Sequence, residues 1–270
     1  MKLHDSAPSP ADTAPCVLVE TDVFGIAGAL RVTLNRPAAL NALSEALLAQ
    51  LQQVLDEIAL SPARVVILAG AGRAFCAGHD LAEMRAQPAQ AHYEALFARC
   101  NRLMLTLQQM PQPVLAQVHG IATAAGCQLV AMCDLALAAD DARFAVSGVN
   151  LGLFCSTPGV PLSRNMPRKL ALEMLLTGDF ISAAVAAQRG LINRAVPAET
   201  LEREVAALAA QICKKPRAAI SAGKGLFYRQ LEMGIEAAYQ LAAQTMACNM
   251  MDEAALEGTQ AFLEKRPPNW

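Results

Sequence analysis

The sequence carries little charge and no long run of one sign. Asp, Glu, Lys and Arg make up 17% of the 270 residues, and the formal net charge is −2. Nucleic acids and anionic membrane surfaces are bound by a concentrated basic face, so neither kind of partner is expected. No uninterrupted apolar stretch reaches about 18 residues, the minimum for a membrane-spanning helix. Hydrophobic residues nevertheless make up 54%, which predicts a globular protein with a large core.

Patterns typical of metal sites are also missing. The chain has only 4 histidines, widely scattered, and its 8 cysteines include no C-x-x-C pair. Structural zinc sites usually need such closely spaced ligands, so we expect no metal site. Most of the cysteines lie inside apolar segments, which favours free thiols in a reducing compartment.

The first residues, "MKLHDSAPSPADTAPC", are rich in Pro, Ala and Ser. They lack the apolar segment of a secretory signal and the arginines typical of a mitochondrial presequence. We therefore predict a flexible leader over residues 1–15. For the compartment, this pattern favours a bacterial cytoplasm, with the mitochondrial matrix as the second choice.

Strand and helix patterns alternate along the next two hundred residues. Alternating or β-branched runs predict strands in "ALRVTLNRP" (29–37), "RVVILAG" (64–70), "PVLAQVHG" (113–120) and "DLALAA" (134–139). Helical spacing follows Ser44 and Ser182, both plausible N-caps. Beyond residue 213 only helical patterns occur. The sequence thus predicts an α/β core over residues 16–213 and a helical region over residues 214–270.

Two glycine-containing turns after predicted strands offer free backbone N–H groups. In "GRAFCAGHDL" (72–81), Gly78 permits a sharp turn. In "GIATAAGCQLVAMCD" (120–134), small residues lead into a helix starting near Ala125, where the first N–H groups have no partner within the helix. Close packing of strand and helix would also explain the small residues. Side by side, the two turns would polarise a carbonyl and hold an oxyanion.

Together with three further segments, these turns resemble the crotonase family, also called the enoyl-CoA hydratase/isomerase superfamily. The other segments are "LNRPAALNALS" (34–44), "LTGDFISAAVAAQRGLINRAVP" (176–197) and "AFLEKR" (261–266). Within the family, "GVNLGLFCSTPGV" (148–160) is most similar to the enoyl-CoA hydratase domain-containing protein 3 branch. The resemblance implies a spiral of ββα units with a helical C-terminal trimerisation region, a homotrimer or dimer of trimers, and an acyl-CoA ligand held by its thioester carbonyl. It implies no cofactor apart from the coenzyme A of the substrate.

The resemblance also implies site residues. The oxyanion donors would be the backbone N–H groups of His79 and Ala125, and Ala125 departs from the glycine often found there. Residues expected around the thioester are Ala77, Gly78, Asp80 and Gly126, with Phe262 and Lys265 as contacts to coenzyme A. In relatives an Asp at this position is mostly structural, so we expect Asp80 to bind loop amides, and Lys265 could equally be a solvated lysine at a helix end.

The two glutamates with which hydratases of this family add water are both replaced, by Gln128 and Gly148. No Asp or Glu occurs between Asp141 and Glu173. An amide can position water but cannot take its proton, and glycine can do neither. We therefore expect an acyl-CoA-binding protein of fatty acyl-CoA metabolism whose hydratase activity is weak or absent. The alternative is an active isomerase, thioester hydrolase or decarboxylase.

Several other residues could substitute for the missing carboxylates. His79 titrates in a suitable range, and Asp80 is the nearest carboxylate in sequence. Cys155 could act as a nucleophile, but no histidine lies near it in sequence. Ser156 and Thr157 are more typical of a turn whose hydroxyls bind backbone groups. Asn150 could contact substrate or cap the loop, and the sequence leaves both open.

Overall fold

A computed structural model describes residues 15–270, so the predicted leader lies outside the described residues except for its last position. The strands are β1 Val17–Thr21, β2 Ala29–Leu34, β3 Val65–Gly70, β4 Val114–Val118, β5 Ile121–Thr123, β6 Leu135–Ala139, β7 Arg143–Ala145, β8 Ile181–Ser182 and β9 Arg194–Val196. The helices are α1 Glu45–Leu60, α2 Leu81–Ala86, α3 Gln90–Gln109, α4 Ala125–Met132, α5 Ser156–Asn165, α6 Arg168–Thr177, α7 Ala183–Gln188, α8 Leu201–Cys213, α9 Arg217–Leu231, α10 Ile235–Asn249 and α11 Glu253–Leu263.

Two sheets form the body of the molecule. The larger has six strands in the order β1-β2-β3-β4-β6-β9, antiparallel at the β1–β2 edge and parallel elsewhere. The smaller has the order β5-β7-β8. Twice the chain places one strand in the large sheet, the next in the small sheet, and then a helix, first with β4, β5 and α4 and again with β6, β7 and α5. This confirms the predicted α/β fold of ββα units.

The four strands predicted from apolar patterning are all present. β2 begins with two buried residues and then alternates half-buried and buried ones. β3 is buried along almost its whole length, as a central parallel strand should be. The helix predictions are also confirmed. Ser44 caps α1 by accepting a hydrogen bond from the Leu47 N–H, and Ser182 caps α7 through the Val185 N–H.

The last three helices pack lightly on this body. α9 has no fully buried residue, and α10 and α11 have one each, Ala238 and Ala261. A buried ion pair holds α9 in place, because the Lys224 ammonium lies 2.7 Å from the Asp134 carboxylate at the end of α4. α9, α10 and α11 confirm the helical character predicted after residue 213. Most of the apolar surface of these helices is left uncovered within one chain.

Two further observations concern residues 15–270 only. None of their helices combines the length and apolarity needed to cross a bilayer. Nor do three or more His, Cys, Asp or Glu side chains in this part of the chain come close enough together to hold a metal ion. All the cysteines are free thiols, and most are buried.

Candidate oxyanion site

The segment from Cys76 to Asp80 lies between two neighbouring backbone segments. On one side, the Leu43 N–H donates to the Gly78 carbonyl at 2.7 Å and the Asp80 N–H donates to the Leu43 carbonyl at 3.2 Å. On the other side, Cys76 exchanges hydrogen bonds with β5. Because successive N–H groups of an extended segment point to opposite sides, the His79 N–H points away from Leu43, towards β5 and α4.

Two glycines bring this segment into direct contact with the start of α4. Gly78 has φ +97°, and a Cβ added there would lie 2.9 Å from the Ala124 Cβ and 3.4 Å from the Ala125 nitrogen. A Cβ on Gly126 would lie only 2.1 Å from the Cys76 carbonyl oxygen. The two predicted turns therefore do lie side by side, which only residues without a Cβ at these positions permit.

The backbone N–H groups of His79 and Ala125 are free to bind a ligand. Neither donates a hydrogen bond to any residue of the described chain. The Ala125 N–H is the first of α4, where the helix dipole adds partial positive charge. Backbone N–H groups without a partner stabilise negative charge on a carbonyl oxygen when they converge on it.

The departure from glycine at Ala125 has no conformational cost, because Ala125 already has helical backbone angles. The unusual conformation falls one residue earlier. Ala124 has φ 50° and ψ −120°, a region that residues with a Cβ rarely adopt. Its N–H donates to the Ala145 carbonyl at 2.9 Å, which holds the turn in this conformation.

Sequence analysis missed Asn41, which organises the turn before His79. Asn41 is fully buried, and its amide nitrogen donates to the carbonyls of Ala71, Ala74 and Phe75. Its amide oxygen accepts from the Arg36 N–H at 2.9 Å. The only sequence signal was its place in a family segment, since all of these partners except Arg36 lie 30 or more residues away.

The Asp80 carboxylate has a structural role. Its carboxylate caps α2 by accepting from the N–H groups of Ala82 and Glu83, and it pairs with the Arg36 guanidinium at 3.0 Å. Partial burial acts to raise the pKa of this carboxyl, but Arg36 and the capping N–H groups outweigh it and hold the pKa below its usual value. The Ala77 N–H also has a partner within the chain, because it donates to the Leu40 carbonyl.

The His79 side chain does not have the properties of a base. Its ring packs edge-on against Phe97 of α3, with ring centroids 5.5 Å apart. Burial lowers the pKa of the imidazole from 6.5 to about 4, and the Leu43 backbone beside the ring offsets only part of this shift. Both ring nitrogens are buried without a hydrogen-bond partner of good geometry, so the ring is neutral near pH 7.

Gln128 lies one helical turn after Ala125, and only 3% of its surface is exposed. Its amide oxygen is fully enclosed and accepts no hydrogen bond from the described residues. Side chains on a helix lean towards its N-terminus, and residues three apart share a face. The Gln128 amide therefore extends back towards the free N–H of Ala125.

Gly148 lies in a short 3₁₀ helix, Ser147–Leu151, and the loop after it has closed over its Cα. A Cβ there would lie 2.3 Å from the Leu153 carbonyl oxygen and 2.7 Å from the Cys155 sulfur. The Gly148 N–H donates to that sulfur at 3.3 Å. The space that a glutamate side chain would need at this position is thus filled by the chain itself.

Cys155 precedes α5, but its thiol is not activated. Burial raises its pKa above the ordinary value, and the Gly148 N–H offsets only part of this effect. The turn predicted at Ser156 and Thr157 is wrong, because both residues begin the helix α5. The Ser156 hydroxyl does bind a backbone group, as predicted, since it donates to the Phe154 carbonyl. Asn150 packs against Gly178 at the end of α6.

Phe262 and Lys265 lie at the end of α11, away from these turns within one chain. Phe262 is 83% exposed and borders a groove of about 470 Å³ between α9, α11 and the C-terminal Trp270. No residue lining that groove belongs to residues 76–80 or 124–128. The expected contact of Phe262 and Lys265 with coenzyme A stays a prediction.

Comparison with known proteins reveals close relatives. The family model described as enoyl-CoA hydratase/isomerase matches residues 26–270. The chain is 44% identical to the mitochondrial enoyl-CoA hydratase domain-containing protein 3 of Xenopus laevis, over 90% of this chain and 83% of the relative. A crystal structure of enoyl-CoA hydratase from Mycobacterium smegmatis is 59% identical, with a TM-score of 0.93, over 95% of this chain and 99% of that one. The crystal structure of human enoyl-CoA hydratase domain-containing protein 3 is 41% identical, with a TM-score of 0.86, over 94% of this chain and all of the human one (100%).

Proposed function

The chain belongs to the enoyl-CoA hydratase/isomerase family, and from this membership we propose that it binds acyl-CoA thioesters in fatty acyl-CoA metabolism and hydrates them weakly or not at all. The thioester carbonyl oxygen accepts hydrogen bonds from the His79 and Ala125 N–H groups. Coenzyme A enters as part of the ligand, and no separate cofactor takes part.

One observation supports the proposal above the others. Two unpartnered N–H groups lie at adjacent turns, while the residue one helical turn deeper is the amide Gln128 rather than a carboxylate. The donors polarise the thioester and stabilise an enolate-like oxyanion. Adding water across a double bond also requires a base for the water and an acid for the carbon, each worth about 10²–10⁴-fold in rate.

Within residues 15–270, none of the groups named as substitutes has the properties of the missing carboxylates. Asp80 is held by Arg36 and the start of α2, His79 is neutral with a pKa of about 4, and the pKa of the Cys155 thiol is raised. A thioester hydrolase that uses Cys155 or His79 is therefore disfavoured. Among the alternatives, reactions that need only oxyanion stabilisation fit these residues better.

Hydration of crotonyl-CoA tests the proposal. We expect the absorbance of the enoyl thioester to fall barely faster with the wild type than in buffer alone. Gln128→Glu should raise this rate of hydration by about tenfold. The gain is smaller than the full value of a general base because catalytic groups act as a unit and the second carboxylate is still missing.

The matched control is binding of butyryl-CoA, which cannot be hydrated, measured by isothermal titration calorimetry. Wild type and Gln128→Glu should both bind it, which separates loss of chemistry from loss of the site. Wild-type hydration at a typical enzyme rate would contradict the weak-hydratase part of the proposal. No detectable binding of butyryl-CoA would contradict the whole of it.

Assembly into a homotrimer, or a dimer of trimers, is part of the same proposal. The final helices expose large apolar side chains that one chain does not cover, and such surfaces usually form interfaces. Examples on three successive helices are Phe227, Tyr239 and Phe262. Light scattering should give three or six times the chain mass of 28.6 kDa. A monomeric mass would exclude this assembly.

The compartment stays a proposal as well. We favour the cytoplasm, with the mitochondrial matrix as the alternative because the relatives of the domain-containing protein 3 branch are named mitochondrial. Cell fractionation followed by immunodetection distinguishes the two, since only the second places the protein with matrix markers.

A further inference from the structure

A group of cations without acidic partners lies where α8 ends and α9 begins. Arg64, Lys214 and Arg217 line a cavity of about 400 Å³, the basic cavity, and none of its lining residues is Asp or Glu. Within residues 15–270, none of the three forms an ion pair. Burial raises the pKa of the Cys213 thiol, which also lines the cavity, so this thiol stays neutral. Such uncompensated positive charge attracts an anion.

Backbone carbonyls hold the two guanidiniums in place. The Arg64 guanidinium donates to the Lys215 carbonyl, and the Arg217 guanidinium donates to the Ser61 carbonyl at 2.7 Å. A guanidinium has five N–H donors, so each retains several for a ligand. Because these side chains are already positioned, a carboxylate or phosphate would bind them with little further loss of side-chain freedom.

The groove of about 470 Å³ between α9 and α11 adjoins the basic cavity, since both are lined by Pro216, Ala254 and Trp270. Trp270 is held there by two contacts. Its indole N–H donates to the Lys214 carbonyl at 3.0 Å, and a Cβ added at Gly258 would lie 2.9 Å from its ring. One ligand can therefore place a charged group in the cavity and an apolar chain in the groove. The apolar side chains that line the rest of the groove are those of Ala219, Met250, Ala255 and Phe262.

The basic cavity is remote from the candidate oxyanion site. Arg64 immediately precedes β3, whereas His79 follows the opposite end of this strand. At about 3.3 Å per residue, the length of β3 alone separates the two by about 20 Å. No residue that lines the cavity or the groove belongs to residues 76–80 or 124–128. A ligand bound here would leave the thioester site free.

We propose that the basic cavity and the adjoining groove bind an anion with a single long alkyl chain, such as a free fatty acid. The headgroup, a carboxylate or a phosphate, accepts hydrogen bonds from the Arg64 and Arg217 guanidiniums, and the Lys214 ammonium adds a point charge. The alkyl chain lies in the groove against Trp270, where burial of its apolar surface stabilises binding. This site is independent of the proposed function.

A neighbouring subunit is the competing occupant of the groove, because Phe262 on its rim is 83% exposed. The charge of the adjoining cavity favours an anionic ligand over a purely apolar protein surface. A subunit that covered the groove would exclude the alkyl chain, and it therefore predicts that Trp270 responds to no alkyl ligand.

Fluorescence of Trp270, the only tryptophan of the sequence, tests the proposal directly. We expect a saturable change on titration with dodecanoate, and binding should tighten about fourfold per methylene from butanoate through octanoate to dodecanoate. Dodecyl phosphate distinguishes the headgroups, since the ligand that binds more tightly identifies the preferred anion. Dodecyltrimethylammonium has the same chain with a positive charge and should not bind.

Two arginine variants assign the headgroup site. Arg217→Gln should weaken dodecanoate binding roughly tenfold, the worth of a hydrogen bond to a charged group. Arg168→Gln is the matched control, because Arg168 also follows a proline and begins a helix but lines neither the cavity nor the groove. It should bind dodecanoate as the wild type does. Lys214→Gln removes a charge whose side chain holds no structural contact described above, and it should weaken binding severalfold.

Four results would overturn the proposal. They are the absence of a saturable response to both dodecyl anions, equal binding of dodecyltrimethylammonium, unchanged affinity in both Arg217→Gln and Lys214→Gln, and displacement of dodecanoate by butyryl-CoA. The last result would place the alkyl chain in the acyl-CoA site instead.

Discussion

Replacing Lys224 with methionine is expected to lower the free energy of unfolding by about 3–5 kcal/mol, because it leaves a buried carboxylate without its counter-charge. The Lys224 side chain is only 6% exposed. Its ammonium donates to the Asp134 carboxylate and to the carbonyls of Leu107 and Gln112, all within 2.8 Å. All three of its protons are used, so methionine removes every one of these contacts without opening a large cavity.

Asp134 would be left in surroundings that already disfavour its charge. Burial raises the pKa of this carboxyl and lowers that of the Lys224 ammonium, and their pairing is the largest influence that opposes either shift. In Lys224→Met, the Val114 N–H and the Tyr228 hydroxyl would be its remaining donors.

Urea unfolding followed by circular dichroism measures the loss. Tyr228→Phe is the matched control, since it removes one hydrogen bond from the same carboxylate and should cost about 1 kcal/mol. The double variant Lys224→Met, Asp134→Asn should recover part of the stability, because it removes the unpaired charge as well. A loss below about 1 kcal/mol in Lys224→Met would show that the pair does not hold α9 on the body.

Gly126→Ala is expected to weaken butyryl-CoA binding on the order of 100-fold, the worth of two hydrogen bonds to the thioester carbonyl. The new methyl group would lie 2.1 Å from the Cys76 carbonyl oxygen, closer than any real contact. Since backbone stands on both sides, the segment before His79 must move away from α4. The His79 and Ala125 N–H groups would then be too far apart to bind one carbonyl oxygen together, as the proposed function requires.

Gly223→Ala is the control for the loss of a glycine as such. A Cβ at Gly223, in the middle of α9, meets no atom within 4 Å. This change should stabilise the protein by about 0.5–1 kcal/mol and leave butyryl-CoA binding unaltered. Gly126→Ala should in addition lose roughly 1–3 kcal/mol of stability through overpacking. If Gly126→Ala binds butyryl-CoA as tightly as the wild type, the paired N–H groups are not the thioester site.

Local patterns allowed much of the fold to be predicted. The alternation in β2, the apolar run of β3 and the cap residues Ser44 and Ser182 each reflect interactions within a few residues of chain. The two turns could be located for the same reason, since a strand, a glycine and a helix start follow each other directly. That they lie against each other came from the family resemblance, not from these patterns.

What the sequence could not supply depends on contacts between distant segments. Lys224 and Asp134 are 90 residues apart, and nothing local marks either as half of a buried pair. Asn41 resembles any loop asparagine until its partners beyond residue 70 are placed. Ala124 has a φ of 50°, which nothing in the local sequence marks, because an alanine rarely adopts this conformation without distant hydrogen bonds to hold it.

The packing over Gly148 leaves no room for a side chain at this position. The Leu153 carbonyl and the Cys155 sulfur occupy the place that the first side-chain carbon of a glutamate would need. A reversion at this position alone would push the loop apart before it restored any chemistry. A chain with glutamate at position 148 would thus need a differently folded loop as well, so the loop conformation seen here and a carboxylate at this position exclude each other.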